Sequence, residues 1–184
     1  TRTLVEVLRR ITGVVKHEAG GEYAKLLRSR GQAVRVITYT KNATDVVTGR
    51  LGANDLTVVS TIHAFCWELI QGFDADIREA LLALKDEELA AAKQAASEKK
   101  NGETDTDRRK YAEIADEADE IRAVEKFLYH PDRNTYGPGA LAHATVLGVA
   151  AWLVNHRPTL QRILEERYPL GLIDESQDTM KGIL

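Results

Sequence analysis

The sequence predicts an α/β fold, a partial parallel sheet carrying an inserted all-helical subdomain, and three observations predict it. Short apolar runs rich in β-branched residues, AVRVITY, LTVVST and LGLI, alternate with stretches at helical spacing. A polar cluster follows each run: TKN, STIH and DESQD. Between the second and third runs lies a different region, roughly residues 75–165, in which Ile77 to Lys100 is rich in the strong helix formers Ala, Leu, Glu and Lys. Open parallel sheets gather ligands beyond the carboxyl ends of their strands. Three strand ends would therefore deliver polar groups to one rim.

The elements follow in order. Leu4, Val5, Val7, Leu8, Ile11, Val14 and Val15 recur at helical spacing, so a first helix is expected to run to the pair Gly20-Gly21 or a little short of it. EYAKLLRSR is a second helix, closed by Gly31 as a left-handed stop. After the strand AVRVITY, NATDVVTGRL reads as a short helix ending at Gly49 or Gly52. After LTVVST, IHAFCWELIQGF reads as a helix that carries Phe65, Trp67 and Leu69 into a core. A long helix from Ile77 to Lys100, the polar turn NGETDTD and an amphipathic helix marked by Tyr111, Ile114, Ala118, Ile121 and Leu128 suggest an antiparallel hairpin. HPDRNTYGPG is a loop. ALAHATVLGVAAWLVNH and PTLQRILEERY are two further helices, the second with Pro158 at a favoured first position. LGLI, after Pro169, is the third strand.

Composition narrows the class. With 184 residues, 43% of them hydrophobic and 29% charged, the chain can bury a core of ordinary size. A net charge of −3 gives no global attraction to nucleic acid, so any such surface must be local. No apolar run is long enough to span a membrane, and TRTLVEVLRR lacks the pattern of a signal peptide. Cys66 is the only cysteine, which excludes an internal disulfide and suits a reducing, cytoplasmic setting. A helix under way from the first residues, and an abrupt end after TMKGIL, suggest a chain cut from a longer protein.

The sharpest motif is LIDESQDT, residues 172–179, where Asp174 and Glu175 stand at the end of an apolar strand. Mg²⁺ keeps several waters and takes one or two carboxylates, and a second carboxylate beside it can orient or deprotonate an attacking water. An acidic turn is the bland alternative, and Gln177 and Asp178 in the same short run count against it.

LIDESQDT resembles motif II, the Walker B box, of the UvrD/Rep-like superfamily 1 DNA helicases, whose usual form is DExQD. VITYTKNATDVV is similar to motif Ia of that family and VVSTIHAFCWELI to motif Ic, in the family's order. TRTLVEVLRRI fits the start of the helix that follows the family's phosphate loop, if Thr1 is the threonine of Gly-Lys-Thr. The glycines and lysine of that loop are not in this sequence. Lys41-Asn42 stands where Asn-Lys is usual, Tyr39 replaces Phe, and Ile62 replaces an aromatic residue.

The resemblance implies a partial RecA-like ATPase domain over residues 1–74 and 168–184, with residues 75–167 as the inserted helical subdomain. It implies ATP and Mg²⁺ as cofactors: Asp174 and Thr1 for the metal, with Arg2 beside Thr1 at the nucleotide, and Glu175 to activate the attacking water. Gln177 and Asp178 would link nucleotide state to the DNA motifs. Tyr39, Thr40, Lys41, Asn42, Thr61 and His63 would lie along single-stranded DNA, where an aromatic face stacks on any base and small polar groups meet phosphate oxygens. Tyr39 could equally be strand core, His63 could cap the following helix, and Thr1 could be an ordinary first-turn residue. Phe65 and Trp67 read as core, Cys66 as a small buried apolar residue, His143 and His156 as structural, and KDEELAAAKQAASEKK as a solvated face. HPDRNTYGPG is either a plain loop or an approach to DNA through Arg133 and Tyr136.

The implied protein translocates on single-stranded DNA and unwinds duplex at single/double-strand junctions by hydrolysing ATP, in repair or recombination and with repair-protein partners. One such domain alone is expected to be inactive. A helicase–nuclease subunit or repair exonuclease of the same family is the nearest alternative. From another class, the helical hairpin could make the chain a non-catalytic protein-interaction module.

Overall fold

A computed structural model describes residues 2–99, 102–133 and 136–174. They form a mixed α/β chain of eight helices and three strands: α1 (Arg2–Ile11), α2 (Glu18–Arg30), β1 (Val34–Thr38), α3 (Lys41–Leu51), β2 (Thr57–Thr61), α4 (Ile62–Ile70), α5 (Asp74–Ser97), α6 (Asp105–Ala123), α7 (His143–His156), α8 (Pro158–Arg167) and β3 (Leu170–Ile173). Contacts divide the chain into two compact units, residues 1–68 with 154–184, and residues 69–153. No helix among the described residues is long and apolar enough to cross a membrane.

The first unit holds a parallel sheet of order β2-β1-β3. The central strand, VRVIT, is buried along its whole length. Its side chains alternate between faces. Val34 and Val36 enter one cluster with Val5 and Leu8 of α1, Ala24 and Leu27 of α2, and Val47 and Leu51 of α3. On the opposite face Arg35 meets Phe65 and Glu68 of α4, so helices cover both sides of the sheet.

The first two helices correct the sequence reading. α1 stops at Ile11, and Val14 and Val15 lie beyond it. The pair Gly20-Gly21 lies inside α2, which begins at Glu18. His17 caps that helix, its Nδ1 accepting from the Gly20 N–H at 3.2 Å. Gly20 serves a close approach: a Cβ built there would sit 2.0 Å from the Arg10 carbonyl oxygen. Gly31 is the expected left-handed stop, at φ 64° and ψ 27°. Gly49 is helical, and α3 ends at Gly52.

A second correction concerns α4. Its buried stripe is Ile62, Cys66 and Ile70, one residue every four, while Phe65, Trp67 and Leu69 are only half-buried. Phe65 instead offers its ring face to the Arg35 guanidinium at 4.5 Å.

In the second unit α5 and α6 form an antiparallel hairpin. Lys99 pairs with Asp107 at 2.6 Å, Lys93 lies 5.9 Å above the Tyr111 ring, and Lys85 pairs with Glu117, so partners recede in opposite directions along the two helices. Thr104 and Asp107 form a capping box that starts α6. Leu128 is not part of that helix. α6 ends at Ala123, and Leu128 lies 43% exposed in an isolated bridge to Ala140. The strand-like turn begins because Asp74 accepts from the Phe127 N–H at 2.7 Å and Arg78 donates to the Val124 carbonyl, drawing the chain back to the start of α5. α7 buries Val146, Leu147, Val149, Ala150 and Leu153.

Candidate functional site

Parallel pairing sets the three carboxyl ends side by side. Thr38 is opposite Thr61, and Ile37 opposite Ile173. The Asp174 N–H donates to the Ile37 carbonyl at 2.9 Å, extending the ladder by one bond. Half-buried Asp174 therefore stands at the same edge as Tyr39 and Thr61. With β1 between them, the ends of β2 and β3 are about 10 Å apart.

The turn after β1 is held by threonines. The Thr38 and Thr44 hydroxyls share a 2.6 Å hydrogen bond, with the Thr40 carbonyl within reach of both. Thr40 is the cap of α3, its Oγ1 accepting from the Ala43 N–H at 3.2 Å. This leaves Tyr39 44% exposed, which removes the strand-core alternative. Lys41 and Asn42 are exposed in the first turn of α3. Nothing in the sequence singles out Thr38 or Thr44. The only available hint is the spacing of Thr40 and Thr44, one helical turn apart.

β2 ends in the same way. Thr61 Oγ1 accepts from the Ala64 N–H at 3.2 Å and caps α4. The cap alternative proposed for His63 thus belongs to Thr61, and the imidazole lies half-buried on the first turn. Its ring meets that of Tyr39 edge-on, centroids 6.3 Å apart and planes at 62°. In accepting from the backbone, Thr40 and Thr61 each keep a hydroxyl proton to donate outward.

α3 and α4 both open at this edge, and neither carries an acidic residue in its first turn. Acidic side chains there would neutralise the positive helix ends. Arg2 begins α1, which likewise has no acidic residue in its first turn. The far end of that helix is tied to the amino edge of the sheet, where Asn54 donates to Thr12 Oγ1 at 2.7 Å just before β2. Ten residues of helix set Arg2 about 15 Å away from that edge.

Thr1, Glu175, Gln177 and Asp178 lie outside the described residues. Among the described residues no group of three or more His, Cys, Asp or Glu side chains could hold a metal ion. Among the described residues Asp174 brings a carboxylate to the rim, and one carboxylate with waters and phosphate oxygens is a normal Mg²⁺ environment.

A stretch of 72 residues, 39% of this chain, is 39% identical to Gabija protein GajB of Bacillus cereus (strain HuB5-5). The match spans 10% of the length of GajB. No family model matches the sequence. No solved structure matches it.

Proposed function

We propose that this chain belongs to the ATP-driven motor of a UvrD/Rep-like DNA helicase, contributing part of a RecA-like domain that grips single-stranded DNA. The observation that carries the reading is the rim. Tyr39 and His63, from the ends of neighbouring strands, meet at 6.3 Å beside two helix amino ends without acidic residues, and Asp174 ends the third strand. An exposed ring suits stacking on a base. Lys41, the Thr40 and Thr61 hydroxyls and the first-turn N–H groups suit phosphate oxygens.

Asp174 would hold Mg²⁺ bound with ATP, together with Thr1, and Arg2 would lie near the phosphates. The metal, when bound, supplies charge neutralisation at the phosphates. Glu175 would take a proton from the attacking water, while Gln177 and Asp178 connect that chemistry to the DNA rim. The match to GajB supports a helicase-related setting, without distinguishing a helicase from a helicase–nuclease subunit.

Two experiments test the reading. Anisotropy with a labelled oligothymidylate should show salt-dependent binding by the chain, weakened about tenfold by Tyr39→Ala, within the range of one base stack. In the parent protein, Asp174→Ala and Glu175→Ala should abolish DNA-stimulated ATP hydrolysis. Intact function in both variants would instead favour an interaction module built on the α5–α6 hairpin.

A further inference from the structure

We infer that the groove beside the α5–α6 hairpin is a docking site for a partner protein, and that it takes a short basic segment anchored by large apolar side chains. The groove lies wholly within the second unit and encloses about 830 Å³. That is within the roughly 300–1,000 Å³ usual for ligand pockets. Leu81 of α5, Phe127 and Leu141 line it from the core, each less than a tenth exposed. Ile121 and Val124 line it half-buried, so apolar surface stays open to water in the free chain. Its walls are tied by the backbone. The Val124 carbonyl accepts from Arg78, and the Phe127 N–H donates to Asp74. The Leu128 N–H donates to the Gly139 carbonyl and the Leu141 N–H to the Leu128 carbonyl, both at 2.8 Å. Gly139, at φ 76°, permits that closeness, since a Cβ there would lie 2.2 Å from the Lys126 carbonyl oxygen. The groove is thus built before a partner arrives, which spares an ordering cost on binding.

Charge selects the occupant. Glu117, Glu120 and Glu125 line the groove against Lys85 and Lys126. Lys85 is already shared between Glu88 and Glu117. α6 ends at Ala123, so its carbonyl end, negative by the helix dipole, opens at the groove beside Glu120. Residues 113–125 carry six acidic side chains, with Arg122 the single basic one. Residues 69–153 as a whole hold 17 acidic and 11 basic side chains, a net charge of −6. A polyanion is repelled here. A purely apolar segment would cover carboxylates without giving them a partner, which costs free energy. Lysine or arginine beside an apolar anchor answers both the carboxylates and the apolar lining.

This inference does not depend on the nucleic-acid reading above, and its test uses different residues. The probe is a fluorescein-labelled peptide of leucine and lysine at helical spacing, about 14 residues long. Its anisotropy is measured with the 184-residue chain and its variants. Binding should weaken with salt and be absent for a leucine–glutamate peptide of the same spacing. Glu120→Lys combined with Glu125→Lys should weaken binding about tenfold. Ala123→Trp, which fills the groove from an exposed position, should weaken it at least as much. All three positions are exposed, so the variants should keep the wild-type circular dichroism spectrum. Tyr39→Ala should bind the peptide normally, which tells a failed rim from a failed groove. Either groove variant binding like the wild type would overturn the inference. An unaffected Ala123→Trp would leave surface charge alone to hold the peptide, and an unaffected double reversal would leave apolar contact alone. No binding by the wild-type chain, or equal binding of the glutamate peptide, would overturn it as well. So would self-association in sedimentation that Ala123→Trp abolishes, which would put a second copy of the chain in the groove.

Discussion

Arg35 Nη1 donates to Glu68 Oε2 at 2.9 Å from within the central strand, and the two residues are unequally buried. The Arg35 side chain is 2% exposed and that of Glu68 37%. Arg35 Nη2 also donates to Ser60 Oγ at 2.5 Å, Nη1 to Tyr168 Oη at 3.3 Å, and the guanidinium faces the Phe65 ring. One cation thereby joins β1, β2 and the residue that closes α8 to α4. The asymmetry predicts an unusual order of costs. Glu68→Ala strands a buried cation, whereas Arg35→Met leaves a carboxylate that water can reach. Urea unfolding should show Glu68→Ala destabilised by about 2 kcal/mol, discounted for Glu68 exposure, and Arg35→Met by about 1. The opposite order would disprove the account.

Gly20 and Gly21 share one helix but not one role. A methyl at Gly20 would strike the Arg10 carbonyl at 2.0 Å, while one at Gly21 meets nothing within 4 Å. Gly20→Ala should lower the unfolding midpoint sharply, because the α1 backbone has to move. Gly21→Ala should raise stability by about 0.5–1 kcal/mol, the usual gain over glycine in a helix. Thermal melts of the two variants should therefore shift in opposite directions.

The same pair shows where sequence reasoning stops. A glycine pair reads as a helix end because its backbone freedom is a local property. The need for a missing Cβ against another helix is tertiary, and no local pattern carries it. Leu128 fails similarly: its spacing continues α6, but Asp74 and Arg78 take the chain elsewhere. Phe65 and Trp67 look like core by residue type, yet Cys66 holds the buried register of α4. The three strands and the caps at Gly31 and Gly52 were legible because β-branched runs and glycine stops act locally. That TKN, STIH and Asp174 would share one edge was legible because parallel strands put equivalent ends together. The Tyr39–His63 contact depends on the Thr38–Thr61 register, which only the structure supplies.

Asp107 makes the hairpin acid-sensitive. The Lys99 ammonium, followed by the Thr104 hydroxyl and N–H, holds its carboxyl well below the ordinary 3.8. A depressed acid stabilises the fold above its unfolded pKa and loses that contribution as pH falls toward its folded value. The advantage of wild type over Asp107→Asn should thus be full near about pH 6 and shrink below about pH 4. Thermal melts across that range, with an NMR titration of the Asp107 carboxyl, check it. A midpoint at or above 3.8 would contradict the capping geometry.

Burial pushes the Cys66 thiol up to about 12, against a smaller opposing pull from Arg35. Its thiolate is therefore scarce in the folded chain near pH 8, and its side chain is covered. An aromatic disulfide reagent should label Cys66 slowly in the native protein and rapidly in urea. The raised pKa also stabilises the fold below the unfolded thiol's pKa and withdraws as pH rises from about 9 toward 12. Prompt native labelling would mean that α4 opens readily.

Lys41 sets stability against binding at the rim. It opens α3, where the helix dipole is positive and the first turn carries no acidic residue. A cation there opposes the dipole, and Lys41→Glu should stabilise the chain by about 0.5 kcal/mol. If the rim grips phosphate, the same change removes an attractive charge and adds a repulsive one. Affinity for an oligothymidylate should fall and the salt slope should flatten by about one or more. A helix end left unfavourable for the fold is then explained by the anion it receives. Lys41→Glu that melts higher yet binds the strand unchanged would separate the positive end of α3 from DNA altogether.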